Sequence, residues 1–106
     1  MQRGDVYAFV PPRERRRHEQ RGRRYAVVVQ GNELVALSTV VVVPTSTEAV
    51  PSAFRPEVEL GGRRTRVLVD QVGAVDVSRF GRRVGRLAQS ELREVDEALQ
   101  LVLGLF

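Results

Sequence analysis

The sequence predicts an α+β domain in which a small β-barrel or curled antiparallel sheet is followed by one helix. Six short segments contain strand-forming residues and are separated by Gly, Pro and charged residues, which indicates strands and turns. Only the last part of the chain has an apolar pattern with the period of a helix. The length of 106 residues fits one domain, and we take residues 1–106 as a single domain.

The first half of the chain predicts three strands. The segment "DVYAFV" (5–10) ends at two prolines, and the apolar runs "YAVVVQ" (25–30) and "LSTVVVV" (37–43) are typical of strands covered on both faces. Residues 13–24 are dominated by arginine and contain no apolar residue, which predicts a solvated loop. We expect the third strand to break at Pro44 and to release the hydroxyl residues that follow it.

The second half predicts three more strands, at 56–60, 65–72 and 82–87. Gly61 and Gly62 predict a tight turn between the first two of them. Asp76 is placed to cap a single helical turn before the last strand. The chain then closes on an amphipathic helix laid against the sheet, whose apolar positions follow the helical period: Leu92, Val95, Leu99, Val102, Leu103 and Phe106.

The charge of the chain favours a polyanionic partner. All of its 17 basic residues are arginines, against 13 acidic residues, and the formal net charge is +4. The planar guanidinium group binds phosphate oxygens in pairs and stays charged at any physiological pH. Nucleic acid is therefore the partner that the composition predicts.

The residue inventory excludes several classes of chemistry. The chain has no cysteine and a single histidine, and it contains neither a phosphate-binding loop nor a dinucleotide-binding fingerprint. We therefore predict no metal and no cofactor. The start of the chain lacks the apolar core of a signal peptide, and the longest largely apolar stretch, 34–43, is too short to span a bilayer. These features predict a soluble cytoplasmic protein that does not engage membranes.

RNA cleavage by the substrate's own 2'-hydroxyl suits this inventory, because it needs no protein nucleophile. The protein must hold the phosphate and stabilise charge in the transition state. Arg24, where the arginine-rich loop meets a strand, is the candidate cation, and Thr45 is the candidate hydroxyl, with Ser46 as its support. Alternatives stay open here, because Thr45 and Ser46 could simply cap a turn and Arg24 has many arginine neighbours. His18 is interpreted as a loop residue.

Five blocks of sequence resemble the MazF/PemK-type toxins of bacterial toxin-antitoxin systems. They are "RGDVY" at 3–7, "RRYAVVVQ" at 23–30, "LSTVVVVPTST" at 37–47, "VLVDQVGAVDVSRFGRRVGRL" at 67–87 and "EVDEALQLVLGL" at 94–105. Their order and spacing match that family over nearly the whole chain. The resemblance implies an SH3-like, CcdB-type barrel that ends in a helix and assembles as a homodimer.

The resemblance also implies a sequence-selective, metal-independent endoribonuclease that leaves a 2',3'-cyclic phosphate and a 5'-hydroxyl. The family's catalytic arginine and threonine fall on Arg24 and Thr45, and its acidic-Gln pair, which contacts bases, falls on Asp70 and Gln71. The loop arginines, Arg21 and Arg23 among them, would neutralise phosphates. Tyr25 stands where many relatives have Pro.

The basic groove implied by the resemblance would also accept a second partner, a cognate antitoxin with an acidic C-terminal segment. Two alternatives remain at this point. A toxin of the same fold could act on a protein target such as gyrase, as CcdB-like relatives do, or a barrel could bind RNA without cutting it.

Overall fold

The computed structural model describes residues 1–9, 24–34 and 38–106. Seven strands and one helix occur in the order β1 (Asp5–Phe9), β2 (Tyr25–Val28), β3 (Thr39–Ser46), β4 (Glu57–Leu60), β5 (Arg63–Val67), β6 (Gly73–Asp76), β7 (Phe80–Arg86) and α1 (Gln89–Leu103). Two 3-10 turns, Val69–Gln71 and Val77–Arg79, flank β6. The predicted fold class is confirmed: a curled antiparallel sheet forms a half-barrel that carries one C-terminal helix.

The sheet is organised around β3. Its strand order is β4-β5-β3-β2-β1-β7, and β6 also pairs with β3. One edge of β3 pairs with β2, while the other edge pairs first with β6 and then with β5. The two ends of the curled sheet, β4 and β7, are not paired with each other. A gap therefore remains between the β4–β5 hairpin and β7.

The predicted break of the third strand at Pro44 is wrong, because β3 continues through Thr45 to Ser46. Pro44 sits opposite Ala26 of β2, and its carbonyl accepts a hydrogen bond from the Leu68 N–H at 2.8 Å. Proline removes only a donor, and at this point β3 is changing partner from β6 to β5, so the missing N–H is tolerated. Thr45 and Ser46 are consequently part of the sheet.

The segment predicted as one strand at 65–72 is divided in the structure. The strand ends at Val67, and a 3-10 turn, Val69–Gln71, carries Asp70 and Gln71. The chain then forms β6, which the sequence did not predict because Gly73 and Ala74 have weak strand propensity. These residues are in a strand because they pair with β3. The predicted cap at Asp76 is confirmed, since its side chain accepts a hydrogen bond from the Ser78 N–H at 2.8 Å.

Apolar residues pack on both faces of the central strands, as the continuous valine runs predict. Val27 and Val43 belong to the larger cluster, which lies under α1, whereas Val28 and Val42 belong to a smaller cluster on the opposite face. All four side chains are buried. The alternation of side chains along β2 and β3 thus assigns consecutive residues to opposite faces of the sheet.

The C-terminal helix is confirmed, with its apolar face on the sheet. Val95 is buried, and Leu92, Leu99 and Val102 pack against the larger cluster. The Glu91 carboxylate accepts hydrogen bonds from the N–H groups of Ala88 and Glu59, both at 2.9 Å, which joins the start of α1 to β4. The last two predicted positions are wrong, because Leu103 is exposed and Phe106, 88% exposed, lies beyond the end of the helix.

Strand β7 is attached to β1 by an acidic side chain. Asp5, with only 7% of its side chain exposed, accepts a hydrogen bond from Arg86 at 2.8 Å and lies 3.3 Å from Arg83. Burial by itself would raise the pKa of Asp5, but hydrogen bonds from the Gln2 N–H and from the two arginines lower it below its usual value. The carboxylate therefore stays charged and fixes one side of the gap in the sheet.

Candidate functional site

Arg24 and Gln71 line one pocket, of about 320 Å³, although they are far apart in the sequence. We call it the Arg24 pocket, and its lining among the described residues is Phe9, Arg24, Ala26, Val42, Pro44, Gln71, Gly73, Ala74, Val75 and Arg79. Arg24 lies directly before β2, and Gln71 ends the 3-10 turn that leads into β6. Since β2 and β6 both pair with β3, the topology brings the two residues together.

Arg79 adds a second guanidinium group to the Arg24 pocket, and sequence reasoning missed it. It ends the 3-10 turn Val77–Arg79, and its Cζ lies 4.8 Å from the centre of the Phe9 ring. An arginine over an aromatic face is held by a cation–π interaction. No carboxylate is among the described residues that line this pocket, so its charge is positive. In the sequence, Arg79 lies within "DVSRFG", and nothing in that segment indicates that it lines a pocket with Arg24.

Thr45 does not line the Arg24 pocket. The residue is 2% exposed and lines a second pocket, of about 630 Å³, which we call the Thr45 pocket. The described lining of that pocket is Tyr25, Thr45, Thr47, Leu60, Gly61, Arg63, Thr65, Arg82 and Val84. Arg24 and Thr45 do not share the described lining of either pocket, and their joint action at one site stays a prediction.

Strand alternation explains the separation. Ala26 pairs with Pro44, and both line the Arg24 pocket, whereas their neighbours Tyr25 and Thr45 line the Thr45 pocket. Ser46 follows Pro44 by two residues in β3, so strand alternation puts its side chain on the same face as Pro44. Ser46 is buried, and its Oγ accepts a hydrogen bond from the Glu48 N–H at 3.1 Å. Ser46 is not in the described lining of the Arg24 pocket, but it lies on the face of β3 that contributes Pro44 to that lining.

Asp70 and Gln71 are neighbours in the chain but take different positions. Asp70 is not part of either pocket lining; its carboxylate forms a two-point ion pair with Arg55, Nε to Oδ1 at 3.0 Å and Nη2 to Oδ2 at 2.9 Å. The hydrogen bonds from Arg55 lower the pKa of Asp70. The Arg55 backbone carbonyl accepts a hydrogen bond from Arg66 at 2.7 Å, which fixes the pair against β5. Sequence reasoning missed Arg55, an isolated arginine in "AFRPE".

Three residues singled out in the sequence, His18, Arg21 and Arg23, lie outside the described residues. Within the described ranges, no three His, Asp or Glu side chains come together in a group that could hold a metal ion. The same part of the chain contains no helix of sufficient length and apolarity to cross a membrane.

Comparison with known proteins identifies the family. Residues 2–103 match the family described as PemK-like, MazF-like toxins of type II toxin-antitoxin systems. The chain belongs to this toxin family. A Mycobacterium tuberculosis protein described as a candidate toxin is 44% identical over 104 residues, 97% of each chain. The protein named endoribonuclease MazF of Staphylococcus epidermidis is 31% identical, covering 99% of this chain and 92% of its own length.

Solved structures of this toxin family share the fold. An endoribonuclease from a mycobacterial species, in complex with its cognate antitoxin, superimposes with a TM-score of 0.83 at 18% identity, covering 100% of this chain and 97% of its own. A MazE–MazF complex from Deinococcus radiodurans gives 0.75 at 21% identity, with coverages of 98% and 95%. The half-barrel with its C-terminal helix is therefore the fold that the family resemblance implied.

Proposed function

We propose that this toxin is a sequence-selective endoribonuclease that cleaves single-stranded RNA without a metal ion. The 2'-hydroxyl attacks the adjacent phosphorus, the bond to the 5'-oxygen of the next nucleotide breaks, and the products carry a 2',3'-cyclic phosphate and a 5'-hydroxyl. The observation that carries the proposal is the Arg24 pocket, in which a positively charged lining and an amide side chain converge in a chain of the MazF family. The relative named endoribonuclease MazF supports RNA cleavage as the activity.

Arg24 is the residue proposed to hold the reacting phosphate and to stabilise the added charge of the transition state. A guanidinium group donates to two phosphate oxygens at once, and its very high pKa makes it unsuitable as a base. Arg79 lines the same pocket and would add positive charge there. Neither residue requires a metal ion for this role.

Two hydroxyl residues, Thr45 and Ser46, are candidates for the group that donates a hydrogen bond to the reacting phosphate. Thr45 is the residue predicted from the family pattern, and its catalytic role remains a prediction. Neither hydroxyl residue is in the described lining of the Arg24 pocket, but strand alternation favours Ser46, because it lies on the same face of β3 as Pro44, while Thr45 lines the other pocket. We therefore propose Ser46 as the hydroxyl that donates a hydrogen bond to the reacting phosphate, and we assign Thr45 to substrate binding.

Gln71 is proposed to read a base, since an amide both donates and accepts on the edge of an unstacked nucleotide. Asp70, predicted for the same task, is engaged by Arg55 and is proposed to act only if RNA binding displaces that arginine. Arg21 and Arg23 are proposed to contact phosphates outside the reacting group.

A cognate antitoxin is the proposed regulator, and an acidic C-terminal segment would compete with RNA for the positive lining of the site. The solved neighbours described as complexes with an antitoxin, or with MazE, support this partner. We also propose a homodimer and a cytoplasmic location, where RNA and the antitoxin are both present.

Incubation of the purified protein in EDTA with a long single-stranded RNA, and with DNA of the same sequence, tests the proposal. The expected result is cleavage of RNA only, at a defined sequence, with cyclic phosphate ends. Intact RNA with clear binding would instead support a non-catalytic RNA-binding barrel. Intact RNA without binding would support action on a protein target, gyrase among them.

A further inference from the structure

We infer that Arg55 is a positioning residue: it holds the 3-10 turn Val69–Gln71 and thereby keeps the Gln71 amide in the Arg24 pocket. The inference rests on the proposed endoribonuclease function and adds to it a residue that is in the described lining of neither the Arg24 pocket nor the Thr45 pocket. Arg55 lies in the connection between β3 and β4 and acts through Asp70, its partner in the two-point ion pair.

The 3-10 turn between β5 and β6 is held by the core at its start and is exposed at its end. Leu68 and Val69 are buried, and the Leu68 N–H donates a hydrogen bond to the Pro44 carbonyl at 2.8 Å. Asp70 and Gln71 are exposed. The core therefore fixes the entry into the turn, whereas its exposed half must be held by other contacts if Gln71 is to keep one position.

The position of the Gln71 side chain depends on the backbone of the turn. This side chain forms no hydrogen bond with any residue of 1–9, 24–34 or 38–106. The Gln71 N–H donates to the Leu68 carbonyl at 2.9 Å, and the Val72 N–H donates to the Val69 carbonyl at 3.1 Å. Because these two bonds define the turn, a contact that holds the neighbouring residue Asp70 also orients Gln71.

The ion pair between Arg55 and Asp70 supplies that contact. Two nitrogens of a planar guanidinium group meet both carboxylate oxygens, which fixes the orientation of the carboxylate as well as its distance. The two side chains are 24% and 29% exposed, so water screens the pair only in part. The hydrogen bonds between the partners raise the pKa of Arg55 and lower the pKa of Asp70, so both groups stay charged.

Arg55 is itself held in place at its backbone and at its guanidinium group. Pro56 follows it and restricts its backbone to extended conformations. The Arg55 N–H donates to the Ser52 carbonyl at 3.1 Å, and the Arg55 carbonyl accepts from Arg66 at 2.7 Å. The Arg55 Cζ lies 5.6 Å from the centre of the Phe54 ring, within the range of a cation–π interaction. Arg55 can therefore hold Asp70 in one position.

Cleavage of a mixed RNA pool by Arg55→Gln, with sequencing of the cut ends, tests the inference. The double variant Arg55→Gln with Gln71→Ala shows whether Arg55 acts through Gln71. Arg55→Lys keeps the charge but loses the two-point geometry. Arg64→Gln is the matched control, because Arg64 lies 3.2 Å from Glu57 in an ion pair of the β4–β5 hairpin, outside the 3-10 turn.

We expect Arg55→Gln to lower kcat/KM for the preferred sequence by about three- to fivefold and to broaden the set of sequences cut, as Gln71→Ala does. In the Gln71→Ala background, the same substitution should have almost no further effect, because the amide that Arg55 positions is absent. Arg55→Lys should recover only part of the preference, and Arg64→Gln should leave the preference unchanged.

Three outcomes of the cleavage experiment would overturn the inference. The first is an unchanged sequence preference in Arg55→Gln. The second is an equal loss for all sequences that persists in the Gln71→Ala background, which would show that Arg55 contacts a phosphate directly. The third is faster cleavage by Arg55→Gln, which would show that the ion pair keeps Asp70 away from RNA.

Amide hydrogen exchange followed by NMR separates this inference from the nuclease proposal. In Arg55→Gln, the N–H groups of Gln71 and Val72 should exchange at least about threefold faster, while the Leu68 N–H keeps its protection and shows that the fold is intact. Intact RNA with the wild type, combined with this faster exchange, would reject the nuclease and retain the positioning of Gln71. RNA cleavage by the wild type, combined with unchanged exchange in Arg55→Gln, would overturn the inference and leave the nuclease intact.

Discussion

The Arg24 pocket and the Thr45 pocket are formed by opposite faces of the same two strands, and their linings differ in kind. The first has apolar walls from Ala26, Val42 and Val75, with Arg24, Gln71 and Arg79 placed among them. The second has hydroxyl groups and two arginines that no described carboxylate neutralises. Each lining contains two arginines, so both pockets favour an anionic ligand, and they differ in the uncharged polar groups beside those arginines, an amide in the first and hydroxyl groups in the second. We propose that the reacting phosphate lies in the Arg24 pocket and that Thr45, in the second pocket, contributes to substrate binding.

Arg24→Ala should have the largest effect. Removing the cation that we propose to bind the reacting phosphate should slow RNA cleavage by about 100-fold or more. Cleavage rates of a fixed RNA measured beside Arg93→Ala, an exposed helix arginine, provide the check. Equal rates for the two variants would mean that Arg24 contributes only general charge.

Ser46→Ala and Thr45→Val compare the two faces at adjacent positions of β3. We expect Ser46→Ala to lower kcat by about 10- to 100-fold, because it removes a donor beside the phosphate. Thr45→Val should raise KM by about threefold and leave kcat nearly unchanged, since one neutral hydrogen bond is lost from binding. The reverse order of the two kcat values would restore Thr45 as the catalytic hydroxyl and contradict the face assignment.

Substitutions of Gln71 and Asp70 compare two neighbouring residues of one 3-10 turn, of which only Gln71 lines the Arg24 pocket. Gln71→Ala should lower kcat/KM for the preferred RNA sequence by about tenfold and broaden the set of sequences cut, because a base edge loses its partner. Asp70→Asn should have a smaller effect, since Asp70 is bound by Arg55 outside the Arg24 pocket. Sequencing of the cut ends from a mixed RNA pool measures both changes.

Asp5→Asn should affect stability rather than cleavage. Asp5 fixes β7, one wall of the Thr45 pocket, and its loss should lower the free energy of unfolding by about 1.5–3 kcal/mol at pH 7. Because the pKa of Asp5 is lowered in the folded protein, its contribution is complete above the unfolded value near 4 and is lost as the pH falls through the lowered value. Urea unfolding at pH 7 and pH 2.5 should therefore show the difference between wild type and variant shrinking in acid.

The sequence alone predicted the strands and the helix that show a clear pattern of apolar residues within one segment. The valine runs before Gln30 and Pro44 indicated strands buried on both faces, and the spacing of Leu92, Val95 and Leu99 indicated the helix and its packed side. Gln71 and Arg24 were both predicted as site residues, and the structure brings them into one pocket.

The remaining features depend on contacts between distant segments. Pro44 interrupts a strand in isolation, but here the partner change from β6 to β5 accommodates it, and this single difference reassigns Thr45 and Ser46. Strand β6 forms only because β3 offers an edge. Arg55 meets Asp70 through the fold of the β4–β5 hairpin, so no spacing in the sequence could indicate that pair.

Single-turnover cleavage at rising protein concentration tests the division between the two pockets most directly. Arg24→Ala should remain slow when all RNA is bound, whereas Thr45→Val should need more protein but reach the wild-type rate. Recovery of the wild-type rate by Arg24→Ala at saturation, or a persistent defect in the Thr45→Val protein, would contradict the proposal that the Arg24 pocket holds the reacting phosphate and that Thr45 contributes to binding.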